Sequence, residues 1–511
     1  MTKKWFWIGI TSIFLLSLSL RFWGLERFNT LVFDEIYYAK FAHNYIHGIS
    51  FFDGHPPLGK YIIAIGMWLG NYLPFGGNEV NELTGAVRSP WSYRWINALF
   101  GSFIPLIIAG IAYQVSHRRT FALVAGLFAA VDGIFLVESR YALINQYIVI
   151  FGLLGQWCFL LALDNRRYTR GGWLAISGIT FGCSIATKWN GLFFLLGVYL
   201  MWIIGWLIYW LPIISFSEVK TYIANLNKTA FSILYSLICG RNHTYIHYLK
   251  KQTTPLENLT QINLLQMLSY LGVIPVIVYS FLWIPHLQLN TERGLLEVHR
   301  QIWLFHNGVQ LIGNSNTVHP YCAAWYKWPL LTRPMAYLYQ TARTVSEPLL
   351  VKGPPLPGNA VKVIYDVHAM GNPFLWWFGV FALLIIAISL IFRIIFPWIE
   401  NQRFPHGSTF SVDAWIGIYL VTNYVANLLP WVKVDRCVFI YHYMSAVVFA
   451  FLAIALIVEI CWRSYSKVMA SVGFTISFMI VTAFIFWLPI YLALPLSPEA
   501  YKLRMWFNSW I

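Results

Sequence analysis

Residues 33–60 read FDEIYYAKFAHNYIHGISFFDGHPPLGK, setting Asp34 beside Glu35 and following them with Asp53, His55 and Lys60. A carboxylate placed next to a hydroxyl accepts its proton as a new bond forms, and a fixed cation stabilises a leaving anion. Neighbouring helical residues project about 100° apart, so Asp34 and Glu35 cannot address one atom. One faces a substrate and the other orients a cation. Asp is also a favoured helix cap, and Ile36, Tyr37, Phe41 and Tyr45 follow it, so a plain capping role for Asp34 stays open. That account explains Glu35 less well, and Asp53 with His55 not at all. His55-Pro56-Pro57 is stiff, because each proline fixes its own φ and restrains its predecessor. It leads into an amphipathic or partly inserted helix expected near 58–70.

More cations join these acids. Arg94, Arg140 and Lys188 stand at the ends of three apolar stretches. Each alone reads as a side chain snorkelling to the membrane interface. Several on the face that holds the acids also suit an anionic head group. The segment HPYCAAWYKWPLLTRP contains His319, Trp325, Tyr326, Trp328 and Arg333. It reads equally as an interfacial aromatic belt or as a surface that grips sugar or peptide. No DxD, Walker A, GxGxxG or HExxH pattern occurs. The expectation is therefore no cofactor, no catalytic metal, and a membrane-bound donor that is already activated.

Positioning these residues falls to a membrane scaffold. The chain is 58% hydrophobic and 11% charged. Charge is expensive near lipid, which makes the acid cluster a functional-site candidate. Stretches of roughly 20 apolar residues, enough to cross a bilayer core, recur about eleven times. They lie near 5–22, 95–115, 121–137, 142–163, 172–187, 191–213, 264–286, 373–396, 412–430, 437–460 and 469–494. The class is an all-α polytopic membrane protein, its first span a retained helix and not a cleaved signal.

Every second loop is rich in Lys and Arg, which places the amino terminus inside and the carboxyl terminus outside. Residues 23–93, 287–372 and 431–436 then share the outer side. The net charge of +15 reads as this topology signal, with anionic membrane lipid as a general partner and no nucleic acid. The 214–263 loop falls inside, which leaves the sequons at Asn227, Asn242 and Asn258 unused. Six cysteines include no CxxC; Cys322 and Cys437 both fall outside, but their spacing dictates no pairing. Three regions follow: 1–286 with the catalytic outer loop 23–93, an outer loop 287–372, and a four-helix region 373–511.

Several separated motifs resemble the protein O-mannosyltransferases. They are FDE with HPPLGK, YRWINALFG, ESRYALINQ, TKWNGLF, HPYCAAWYKWPL, GNPFLWW, LLPWVKVDRCVFIYHYMSA and PLSPEAYKLRMWFNSW, in the family's order from about residue 20 to the end. The resemblance implies the GT-C glycosyltransferase architecture. It implies transfer of mannose, with inversion, from a polyprenyl-phosphate (dolichyl-type) carrier to Ser or Thr hydroxyls of secreted or membrane polypeptides, at the non-cytoplasmic face of the cell membrane and in reach of the secretion translocon. On that basis Asp34 resembles the catalytic base and Glu35 its orienting neighbour. Arg94 resembles the binder of the donor phosphate, with Arg140 and Arg436 in related motifs. Asp53, His55, Lys60, Lys188, His319 and Trp325 would line the substrate pocket.

The sequence also departs from the family. The sugar-binding-like MIR insert of eukaryotic members is missing, which points to a bacterial form. Asn145 stands where the family often has Asp, and Cys322 where Ser is usual. Transfer of another lipid-linked sugar, or to a lipid or glycan acceptor, is the runner-up. A lipid-linked-sugar transporter fits less well, because it would favour polar groups at mid-span and broken helices in matching halves.

Overall fold

The computed structural model describes residues 1–73, 79–164, 167–210, 255–308, 319–342, 363–401 and 410–511. Asn227 and Asn242 lie outside these residues. Asn258 lies within them, its amide donating to the Leu163 carbonyl.

Each of the eleven apolar stretches is mainly helical over its described residues. The chain runs through α1 (Lys3–Phe22), α2 (Glu35–His47), α3 (Leu58–Gly70), α4 (Pro90–Ser102), α5 (Ile104–Ser116), α6 (Arg119–Ala130), α7 (Gly133–Arg140) and α8 (Asn145–Asp164). It continues through α9 (Arg167–Ile185), α10 (Leu192–Trp210), α11 (Leu264–Leu289), α12 (Leu295–Gly308), α13 (Pro373–Asn401), α14 (Val412–Leu428), α15 (Met444–Arg463) and α16 (Lys467–Tyr491).

Among the described residues eight helices, α4 and α5 counted as one, are long and apolar enough to cross a membrane. The pair α6 and α7, bent by 59°, makes a ninth. The other two expected spans, α9 and α14, fall short of that standard. α9 opens with Arg167 and Arg170, and α14 has only 17 residues.

Burial separates core helices from those that face outward. In α15 89% of the apolar window is buried, against 17% in α1 and 22% in α16. The central helix α15 is therefore the one the others pack around. Small residues allow close approach, as in membrane bundles generally. A Cβ on Gly101 of α4 would lie 2.2 Å from that of Ser139 on α7. At the break between α6 and α7, the Asp132 carboxylate caps α7 at Phe135 and accepts from the Asn372 backbone and the Trp376 indole at 3.0 and 2.9 Å. At the other end of the bundle, Arg118 meets Asp413 at 2.5 Å and Arg463 meets the same carboxylate at 2.8 Å.

A two-stranded antiparallel sheet, β1 (Met335–Ala342) with β2 (Val363–Ala369), adds to the expected all-α architecture. Its register shifts between Ala336 and Leu338, leaving Tyr337 at the irregularity. Bulges of this kind re-aim a side chain. Cys322 and Cys437, 115 residues apart, form a disulfide, a pairing that a shared side of the membrane allows and their spacing does not require.

Candidate active site

The 23–93 segment is anchored by a fully buried ion pair. Glu35 and Arg94 are both fully buried. Arg94 gives Nε and Nη2 to the two Glu35 oxygens at 2.8 and 2.7 Å. Its remaining donors reach the carbonyls of Leu25 and Phe28, each at 2.9 Å, and Thr30 at 2.7 Å. All five guanidinium N–H groups are thus used. Glu35 also accepts from the backbone of Val32 and Ala142, both at 2.8 Å. Asn97 of the same helix donates to the carbonyls of Tyr141 and Leu143, so two of the sequence motifs close on each other here.

This frame sets Asp34 free. It occupies the cap position of α2, but its side chain makes no capping hydrogen bond. Phe33, just before it, has a φ of 53°, a left-handed conformation that non-glycine residues adopt at a cost. Burial pushes the Asp34 carboxyl up to about 6, opposed by the nearby Lys188 and reinforced by Asp53. Asp53 itself is tied to Lys60, whose ammonium also donates to the His55 carbonyl at 2.7 Å. Gly59 lets this segment close on the turn before α8: a Cβ there would lie 2.8 Å from Ile144.

Beside these acids lies a cavity of about 590 Å³ lined by cations and aromatic rings. Its charged and titratable lining is His55, Lys188, His306, Lys433, Asp435, Arg436 and His442, with Trp189 and Trp431 among the rings. Lys188 connects it to Asp34. It is 4% exposed, donates to Asn145 Oδ1 at 2.7 Å, and interacts electrostatically with both Asp34 and Asp53. Burial brings its ammonium down to about 8, against the pull of Asp34 and Glu138.

His306 donates Nε2–H to the Gly54 carbonyl at 2.8 Å, and among the described residues its buried Nδ1 has no partner. Burial among Arg436 and Lys188 carries it down to about 4, and His55 likewise falls well below its ordinary value. Both rings are neutral at physiological pH and offer a lone pair to a ligand hydroxyl. The arrangement can hold an anion beside a carboxylate able to take a proton.

Comparison with known proteins decides the family. A profile described as dolichyl-phosphate-mannose-protein mannosyltransferase matches residues 11–289. This chain belongs to that family. A second profile, the C-terminal four TMM region of protein-O-mannosyltransferase, matches residues 291–510 of this mannosyltransferase family member. A polyprenol-phosphate-mannose–protein mannosyltransferase from Mycolicibacterium smegmatis is 24% identical over 94% of this chain and 88% of that protein. One from Corynebacterium glutamicum is 23% identical over 97% and 91%.

The Saccharomyces cerevisiae protein O-mannosyltransferase Pmt1-Pmt2 complex bound to the sugar donor superposes with a TM-score of 0.72 at 14% identity, covering 100% of this chain and 93% of that one. An oligosaccharyltransferase from Archaeoglobus fulgidus gives 0.51 at 13% identity, over 99% and 58%. The fold is GT-C and the protein is a glycosyltransferase.

Within this glycosyltransferase the expected site residues divide. His55, Lys188 and Arg436 line the cavity, and Asp34 and Asp53 face Lys188. Lys60 does not line it and acts through Asp53.

The expectation that Arg94 binds a phosphate meets a guanidinium with no donor to spare. Arg140 is also a strut: its Nη1 donates to the Leu20, Arg21 and Trp23 carbonyls at 2.7, 3.2 and 2.6 Å, closing the end of α1. His319 is exposed and packs on Phe439, while half-buried Trp325 packs on Tyr326; neither lines the cavity.

His306 and His442 were not singled out from sequence. A lone histidine on a helix sends no signal, although His442 does lie inside the quoted motif ending IYHYMSA.

Proposed function

We propose that this protein transfers mannose from a polyprenyl-phosphate carrier to Ser or Thr hydroxyls of polypeptides, by a single inverting displacement. The observation that carries the reading is Asp34, a carboxylate free of hydrogen bonds among the described residues and raised to about 6, facing a cationic cavity through Lys188. Asp34 accepts the hydroxyl proton as the oxygen attacks the anomeric carbon. The carrier phosphate leaves into the field of Lys188 and Arg436, so its charge is met by side chains and not by a metal ion. Neutral His55 and His306 accept hydrogen bonds from sugar hydroxyls. Glu35 and Arg94 hold the loop that aims Asp34.

The reading places the site on the non-cytoplasmic face of the cell membrane. Support comes from the disulfide between Cys322 of the 287–372 loop and Cys437, the residue just after the 431–436 turn, since disulfides persist in oxidising compartments. It keeps 1–286, 287–372 and 373–511 as the working regions, with acceptors met as they emerge from the secretion translocon.

The test supplies membranes containing the protein with polyprenyl-phosphate mannose and a Ser/Thr-rich peptide. Mannosylated peptide of inverted anomeric configuration is expected. Transfer only from a carrier bearing another sugar would instead make this a GT-C transferase of that sugar.

A pH profile checks the roles separately. The base must be ionised and the cation protonated. The rate should therefore rise with pH through about 6, as Asp34 ionises, and fall above about 8, as Lys188 loses its proton. A profile flat through both values would remove these two residues from the mechanism.

A further inference from the structure

Asn145 stands between two groups of opposite sign. Its Oδ1 accepts from Lys188 Nζ at 2.7 Å, and its Nδ2 donates to both Glu138 oxygens at 3.3 and 3.2 Å. Glu138 also accepts from the Tyr337 hydroxyl. The Tyr337 ring stacks on Phe33 with centroids 4.1 Å apart, and Phe33 is the residue that turns the backbone into Asp34. Glu138, Asn145, Lys188 and Tyr337 are all buried. The chain of contacts starts at Lys188, runs through the side chains of Asn145, Glu138 and Tyr337, and ends on the Phe33 ring, next in sequence to the carboxylate that Lys188 faces.

We propose that Asn145 is a positioning residue for the transfer reaction: an uncharged bridge that orients Lys188 while leaving the ammonium's charge to Asp34 and the cavity. This rests on the reading of Asp34 as base and Lys188 as phosphate-facing cation. The chemistry of the amide supports it. An amide donates and accepts at once, so one side chain serves both the acid and the ammonium. A carboxylate at position 145 could only accept. It would draw Lys188 into a charge-assisted bond, roughly twice as strong as a neutral one. It would also set two acids within hydrogen-bond distance, where like charges disfavour double ionisation.

The other groups around Lys188 are Asp34 from α2, Asp53 and His55 from the segment before α3, His306 from α12, Arg436, and Tyr441 and His442 ahead of α15. Asn145 is the member of this set that links the cation to Glu138.

The experiment measures, against pH, both transfer and the binding of polyprenyl phosphate alone by the full-length protein. In Asn145→Asp the added negative charge should keep Lys188 protonated further up the scale. Its alkaline limb should move up by about one pH unit in both readouts. Tyr337→Phe removes a donor to Glu138 and weakens the negative field carried through Asn145, so its limb should move down. A merely structural bridge would lower the thermal midpoint without moving the limbs in opposite directions. Limbs that coincide with wild type in either variant that folds overturn the proposal. If the wild type binds polyprenyl phosphate but transfers no mannose, the reaction assignment fails and the binding limbs still decide the role of Asn145.

Discussion

Replacing Asp34 by Asn should abolish almost all transfer while leaving the protein folded. A positioned general base contributes typically about 10²–10⁴-fold, and the loss should fall in that range and in kcat, not in donor affinity. The structure gives the reason for the split. The Asp34 side chain caps nothing, so its amide isostere removes no hydrogen bond that holds α2. Lys188 keeps its bond to Asn145 and its place on the cavity wall. Donor binding and the thermal midpoint in detergent should therefore stay near wild type. An Asp34→Asn protein that transfers at the wild-type rate would assign the base elsewhere, with Asp53 the next carboxylate to examine.

Replacing Arg94 by Ala should do the reverse and cost the fold before the chemistry. The change strands the buried Glu35 carboxylate and the carbonyls of Leu25, Phe28 and Thr30 that Arg94 now serves. Removing one partner of a buried pair typically destabilises by about 3–5 kcal/mol. Thermal melting and the yield of monodisperse protein should both fall sharply. Arg94→Lys should recover only part of the loss, because a single ammonium cannot replace five donors in a planar fork. If Arg94 instead bound the donor phosphate, Arg94→Lys would raise the donor KM with little change in melting. That result would contradict the strut role.

The contrast between these residues shows what was legible in sequence. The apolar stretches, the basic loops and the ordered motifs led to the fold class, since helix length and charge placement are local properties. Adjacent helical residues diverge in direction, and Glu35 accordingly meets a buried cation while the Asp34 side chain next to it makes no capping hydrogen bond. Which cation serves which anion was not legible. Arg94, Arg140, Lys188 and Arg436 are alike as letters, and only packing decides whether their donors end on carbonyls or in a cavity. His306 reaches the site because α12 docks through a Tyr279–His299 hydrogen bond of 2.6 Å, a contact no local pattern announces. Tyr337 meets Glu138 from a strand irregularity, inside a region read from sequence as loop.

The cavity has one wall from each of the two family regions. His55 and Lys188 lie within residues 11–289, and His306, Arg436 and His442 within residues 291–510. Neither region carries the complete cavity lining, so a change in one wall acts on a surface whose other half lies in the second region. A chimera that joins the first region of one relative to the second of another would face mismatched walls even if every helix formed. Reshaping the cavity therefore calls for paired substitutions across that seam, not an exchange of modules.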